Sequence, residues 1–376
     1  MKLKWGIRIA LSACVLAALF ICALLVNEVM GDSTSYIPRK IDATSEQIAR
    51  GAYLAQIGNC SGCHTMPGGE PYAGGKGVST PFGTIYAGNL TPDPATGIGS
   101  WGANDFYRAL HEGRSRDGRL LYPAFPYPNI SLTTREDSDA IYAFLMNRVA
   151  PVKRESTAHT LRFPFNNQLA LAAWRVLYFK PSAYQPDATQ SVSWNRGAYL
   201  VQGLAHCGAC HSTRNALGAP IAGHAYDGAM MPLSDWYAPS LTARNEASVA
   251  DWEIAQISAW LKHGISERGT ALGPMAEVVY QSTQHLRDDD AQAMATYLKA
   301  LAPSATPLTT IAAASRKADA QSEKLYVDHC SKCHGDKGEG KPGAFPALAG
   351  NRAVTMANTT NLIHVVLAGG FAPATT

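Results

Sequence analysis

Cys60-Ser61-Gly62-Cys63-His64, Cys207-Gly208-Ala209-Cys210-His211 and Cys330-Ser331-Lys332-Cys333-His334 are the three stretches on which the reading of this chain turns. In each, a C-x-x-C pair runs straight into histidine, which is the attachment signature of c-type haem. From the chain's own Cys and His content, chance would supply roughly 0.005 such pentapeptides, so three copies are a strong signal. Two thioethers would fix each porphyrin and the adjacent His64, His211 or His334 would give the proximal nitrogen to iron. Of the eight cysteines, Cys14 and Cys22 lie in an apolar N-terminal run, and the other six, Cys60, Cys63, Cys207, Cys210, Cys330 and Cys333, are then all used, which leaves no disulfide framework. The expected cofactor load is three covalently bound haem c.

Working outward, Arg50-Gly51-Ala52-Tyr53-Leu54 precedes the first motif and Arg196-Gly197-Ala198-Tyr199-Leu200 the second, with a looser Glu323-Lys324-Leu325-Tyr326 before the third. This is an internal repeat, and the apolar spacing in each copy predicts a short helix leading into the thiols. A second helical segment ending in glycine follows each motif: Trp101 to His111 before Gly113, Trp252 to His263 before Gly264, and Asn361 to Leu367 before Gly369. In the second repeat Met275 follows Gly264 by 11 residues, in a loop before the acidic helix start Asp288-Asp289-Asp290. Met275 is therefore the expected distal ligand of the second haem, against the commoner use of Met as core filling.

The other two repeats depart from this pattern. The matching loop of the first reads Leu121-Tyr122-Pro123-Ala124-Phe125-Pro126-Tyr127, with a phenylalanine that cannot bind iron. Its haem is either open at the sixth position or served by Met66, Met146 or His111. In the third, eleven residues beyond Gly369 falls past Thr376, so the distal ligand is expected on a longer natural polypeptide; Met356 is a weaker alternative because it precedes the helix.

Charge and composition narrow the function. The 376 residues are 46% hydrophobic and 16% charged with a net charge of +3 and no block of like charge, so the chain should fold and gives no reason to expect nucleic acid. The 33 Gly and 22 Pro lie between short amphipathic segments, which predicts an all-α architecture of small helical domains joined by long loops. The expected organisation is a segment at 1–30, a first haem domain at 40–150, an inter-domain segment at 151–193, a second haem domain at 194–301, a Pro, Ala and Thr-rich linker at 302–319, and a third haem domain at 320–376. The segment at 151–193 carries Leu161-Arg162-Phe163-Pro164-Phe165 and an apolar helix through Lys180, suited either to a membrane interface or to a groove between domains.

Lys2, Lys4 and Arg8 precede 18 uncharged residues from Ile9 to Val26, about 27 Å as a helix and close to a bilayer core. The expectation is an uncleaved N-terminal transmembrane helix holding the rest of the chain on the periplasmic face of the bacterial inner membrane, with a cleaved signal as the alternative.

The three motifs behind such a segment resemble the tri-haem cytochrome c subunits of membrane-bound periplasmic dehydrogenases of acetic acid bacteria and related proteobacteria. The resemblance covers nearly the whole chain. Its landmarks are Thr80-Pro81-Phe82-Gly83-Thr84-Ile85-Tyr86, Asn89-Leu90-Thr91-Pro92-Asp93, the Trp101 helix, Leu121-Tyr122-Pro123-Ala124 and Gly273-Pro274-Met275. It implies three tandem class I cytochrome c domains behind the anchor, no substrate chemistry in this chain, and electrons passed to ubiquinone. Phe125, with Phe163-Pro164-Phe165-Asn166, is more similar to the branch serving molybdopterin hydroxylases of the aldehyde dehydrogenase type, whose partners are a molybdenum subunit and a small 2Fe-2S subunit. The alternatives are a quinoprotein alcohol dehydrogenase partner, or a peroxidase-like enzyme acting at an open first haem.

Overall fold

The structure is a computed structural model, and it describes residues 23, 25, 26, 28, 29, 42–301, 319–341 and 344–369. The chain divides into two units, Met1–Ala55 with Cys60–Tyr184, and Gln56–Asn59 with Gln185–Thr376.

In the first unit, Thr44 accepts from Gln47 N and so starts helix α1 (Ser45–Ile57), which leads into the motif helix α2 (Cys60–His64). An antiparallel pair, β1 (Gly77–Thr80) and β2 (Gly83–Tyr86), follows. Then come α3 (Ala103–Glu112), α4 (Tyr127–Ile130), α5 (Arg135–Arg148) and α6 (Gln168–Tyr178). Thr134 and Asn167 cap α5 and α6 through their side-chain oxygens. The repeated Arg-Gly-Ala-Tyr-Leu stretch has a packing reason. A Cβ on Gly51 would lie 1.8 Å from Ala140 O, so only glycine lets α1 cross α5 this closely. One residue earlier, Arg50 Nε donates to Asp137 Oδ1 at 2.7 Å in the first turn of α5. Leu54, Ile141 and Leu145 are buried around this crossing.

The second unit uses the same device. Helix α7 (Val192–Tyr199) is capped by Ser191 and continues as a π-helical turn, Leu200–Leu204, before the motif helix α8 (Gly208–His211). The pair β3 (Ala229–Met230) and β4 (Tyr237–Ala238) precedes α9 (Ile254–His263), followed by the pair β5 (Ile265–Ser266) and β6 (Gly269–Thr270). Helices α10 (Pro274–Gln281) and α11 (Asp288–Lys299) come next. A Cβ on Gly197 would lie 1.9 Å from Ala293 O in α11, and Arg196 makes two hydrogen bonds to Asp290, at 2.6 and 2.8 Å. Around the third motif, α12 (Ala320–His329) buries none of its residues and Lys324 pairs within the helix with Asp328. It leads to the motif helix α13 (Ser331–His334), then α14 (Arg352–Thr355) and α15 (Thr360–Ala368).

Two expectations are corrected. The described chain is not all-α, since three two-stranded antiparallel ladders shape the loops that follow the motifs and helices. The transmembrane helix is not supported either: among the described residues no helix is long and apolar enough to cross a membrane, and the placement in the inner membrane by an N-terminal anchor falls with it. Most of the stretch from Ile9 to Val26 lies outside the described residues. Where this end is described, at Ala23, Leu25, Val26, Glu28 and Val29, it is helical. Leu25 and Val29 pack on Leu120, Leu171 and Ala172, and Glu28 Oε1 accepts from the buried Arg175 at 2.7 Å. Val26, between Leu25 and Val29, is exposed. The expected linker at 302–319, Asp319 apart, and the residues after Gly369 lie outside the described residues.

Candidate functional site

Each motif helix presents its side chains in the same way. Cys60, Cys207 and Cys330 are half-buried while Cys63, Cys210 and Cys333 are exposed, and none of the six is in a disulfide. Burial, and then the neighbouring Cys63 and Cys210, push the thiols of Cys60 and Cys207 up to about 12. Burial also holds His64 and His211 below the ordinary histidine range, opposed by their hydrogen bonds to backbone carbonyls. The thiols are thus protonated and the imidazoles neutral at neutral pH.

The decisive geometry lies on the far side of each imidazole. His64 Nδ1 is 2.7 Å from Gly88 O, His211 Nδ1 is 2.7 Å from Pro239 O, and His334 Nδ1 is 2.8 Å from Pro346 O. A carbonyl oxygen only accepts, so Nδ1 carries the proton in all three rings. In a neutral ring this leaves Nε2 as the free ligating nitrogen, and the hydrogen bond fixes the ring's angle.

A small backbone frame builds this arrangement three times. The carbonyls of His64, His211 and His334 accept from Gly74, Gly228 and Gly340 N at 2.7, 2.8 and 2.7 Å. Two residues before each glycine, the carbonyls of Tyr72, Tyr226 and Gly338 accept from Leu90, Leu241 and Leu348 N at 2.8, 2.9 and 2.8 Å. Each leucine stands two residues after the carbonyl that takes the histidine proton. Tyr72, Tyr226 and Gly338 all sit in the left-handed region, at φ 63, 64 and 73. Thr65 Oγ1 and Ser212 Oγ, on the residues after the first two histidines, accept from Tyr72 N and Tyr226 N, both at 3.1 Å. These hydrogen bonds help hold two tyrosines in a conformation that suits glycine better.

Sequence reading missed Gly88, Pro239 and Pro346, because they stand 24, 28 and 12 residues beyond the histidines they serve. A signal was present in retrospect: Gly88-Asn89-Leu90, Pro239-Ser240-Leu241 and Pro346-Ala347-Leu348 share a leucine two residues after the acceptor.

The candidate sixth ligands are placed differently from one another. Met275 is half-buried at the second position of α10, just after Gly273, which has φ 57. A Cβ on Gly273 would lie 2.5 Å from the ring of Trp236, so that ring fixes where α10 begins. Met66 is exposed, and its sulfur accepts from Arg154 Nη2 at 3.3 Å. His111 Nδ1 is 2.7 Å from Ser131 O, and its ring stacks on Tyr107 at 4.9 Å and 11°. Met146 lies half-buried on α5, and Phe125 packs against Tyr127 with ring centroids 6.2 Å apart. Met356 is one of the few buried residues around the third motif, at the end of α14.

The donor set suits covalently held haem: paired free thiols and an imidazole oriented through Nδ1, three times over. Cys60, Cys63 and His64, Cys207, Cys210 and His211, and Cys330, Cys333 and His334 would hold it, with Met275 as a further ligand. Haem supplies reversible one-electron chemistry whose potential follows axial ligands, their hydrogen bonds and burial.

Comparison with known proteins agrees with this chemistry. The family model for cytochrome c matches residues 320–374. A nicotinate dehydrogenase subunit of Pseudomonas putida is 41% identical over 88% of this chain, which spans 28% of that protein. The gluconate 2-dehydrogenase cytochrome c subunit of Pantoea cypripedii is 37% identical, covering 88% of this chain and 79% of its own length. The fructose dehydrogenase cytochrome subunit of Gluconobacter japonicus is 36% identical, covering 88% and 73%. The chain thus spans about a quarter of the first of these relatives and about three quarters of the other two.

Proposed function

Since this chain belongs to the cytochrome c subunits of dehydrogenase complexes, electron carriers with covalently bound haem c, we propose that it carries three such haems and passes electrons from a catalytic dehydrogenase partner to ubiquinone. The observation that carries the reading is the threefold frame that fixes each motif histidine through Nδ1. Its role is orientation: the carbonyls of Gly88, Pro239 and Pro346 hold the imidazoles so that ligation changes little between oxidation states. A pyridine haemochrome spectrum of the purified chain should give three covalent haems. One or two would sink the assignment.

The catalytic partner in this proposal is a molybdopterin hydroxylase of the aldehyde dehydrogenase type, with a small 2Fe-2S protein relaying electrons between the two. Phe125 and Phe163-Pro164-Phe165-Asn166 support it, as does the similarity to a nicotinate dehydrogenase. Metal and cofactor content of the complex isolated through this chain checks it. Molybdenum and a 2Fe-2S centre are expected, whereas pyrroloquinoline quinone would transfer the chain to the alcohol dehydrogenase group.

One observation favours a second reading for the first haem. Phe125, in the loop that matches the one carrying Met275 in the second unit, has no ligating atom. An open sixth position there predicts a high-spin ferric haem that binds carbon monoxide once reduced. Three low-spin haems inert to carbon monoxide would remove it.

A further inference from the structure

In the second unit, α15 of the third-motif segment fastens onto β4, whose flanking residues Trp236 and Pro239 contact the elements that would hold the second haem. Tyr237 in β4 pairs with Met230, but its own backbone N–H and C=O are taken by Asn361. Tyr237 N donates to Asn361 Oδ1 at 2.8 Å and Asn361 Nδ2 donates to Tyr237 O at 2.7 Å. One turn further along α15, the ring of His364 lies 4.5 Å from that of Trp236. A second fastening stands beside it: Arg352 donates to Ser248 O and to Asp251 Oδ2, both at 2.6 Å.

The two residues so gripped adjoin the groups that position two candidate haem ligands, His211 and Met275. Pro239, two residues after Tyr237, offers the carbonyl that takes the His211 proton. Trp236 is the ring against which Gly273 is pressed, and Gly273 opens the helix that carries Met275. Asparagine suits the grip because one side chain offers both an acceptor and a donor, matching one residue's N–H and C=O. At the equivalent position in the first unit, Tyr86 N donates to His159 Nδ1 at 3.2 Å, a single hydrogen bond from outside the motif segments.

We propose that Asn361 is a positioning residue for the second haem, so that docking of the third-motif segment sets that haem's reduction potential. This rests on the haem assignment above and adds to it a direct mechanical link between neighbouring carriers. When the grip is released, Tyr237 and Pro239 loosen, and the hydrogen bond that strengthens His211 as a donor weakens. A poorer donor stabilises ferric iron less, so the midpoint rises.

The test is spectroelectrochemical titration of the full chain and of two variants, N361A and N361L. The leucine is close to asparagine in volume and removes both hydrogen bonds to Tyr237 without adding a charge, which guards against wholesale unfolding. The wave of the second haem is identified as the one absent when Cys207 and Cys210 are both replaced by alanine. The expected result is an upward shift of that wave in both variants, with the other two waves superimposable on the parent. Unmoved midpoints in variants that retain three haems would overturn the proposal. Fewer than three haems in the parent chain would overturn the assignment beneath it, so the two failures are distinguishable.

Discussion

Alanine at position 51 or 197 would place a methyl carbon 1.8 or 1.9 Å from a carbonyl oxygen of the crossing helix, and neither backbone can retreat without opening the Arg50 or Arg196 ion pair beside it. Overpacking of this kind costs about 1–3 kcal/mol, so G51A and G197A should each lower the urea midpoint while leaving the haem motifs chemically intact. Asp290 is itself buried, and D290A would remove both of its hydrogen bonds from Arg196. Losing one partner of a fully buried pair costs about 3–5 kcal/mol, and because Arg196 is partly exposed the expected loss is nearer about 2 kcal/mol, read by the same denaturation. Much of this scale is legible in the sequence, since the repeated Arg-Gly-Ala-Tyr-Leu stretch and the three pentapeptides stand out on inspection. Their reasons are not. Gly51 means little until Ala140, far along the chain, is known to lie against it, and Tyr72 gives no hint that it occupies a glycine-like conformation.

Among the elements, the most informative contrast is between α12 and its two counterparts. α1 and α7 bury a glycine against a crossing helix, whereas α12 buries nothing and replaces the long-range Arg pair by a local Lys324–Asp328 contact. The looser Glu323-Lys324-Leu325-Tyr326 already carried that difference in the sequence. The grip of α14 on the second-motif segment has a pH signature. Asp251 is held below the usual carboxylate range, first by its hydrogen bond from Arg352, with burial opposing and Arg268 also close. A depressed value means that the contact stabilises above the ordinary carboxylate range and is lost as pH falls through the lowered one. The stability advantage of the parent chain over D251N, measured in urea from pH 7 downward, should therefore shrink in acid. An advantage that grows as pH falls would contradict this pairing. At this scale the sequence misled over the N-terminal run, because a hydropathy window cannot see that Leu25 and Val29 have Leu171 and Ala172 to pack on, or that Glu28 has Arg175.

Seen as a whole molecule, the chain offers three copies of one ligand frame in settings that grade from buried to exposed. His64 and His211 are pushed down by burial, and α12, α13 and α15 around the third motif bury none of their residues.

The loops that close the three frames carry one more consequence, in chain entropy. The histidine and its carbonyl partner are 24, 28 and 12 residues apart. Each doubling of a flexible loop adds about 0.6 kcal/mol to its closure, so an unfolded chain closes the third frame at the least cost and the second at the greatest. The least buried of the three frames is thus the one nearest to forming unaided. In a chain recovering from denaturant, the histidine of the C-terminal motif should become fixed before the other two.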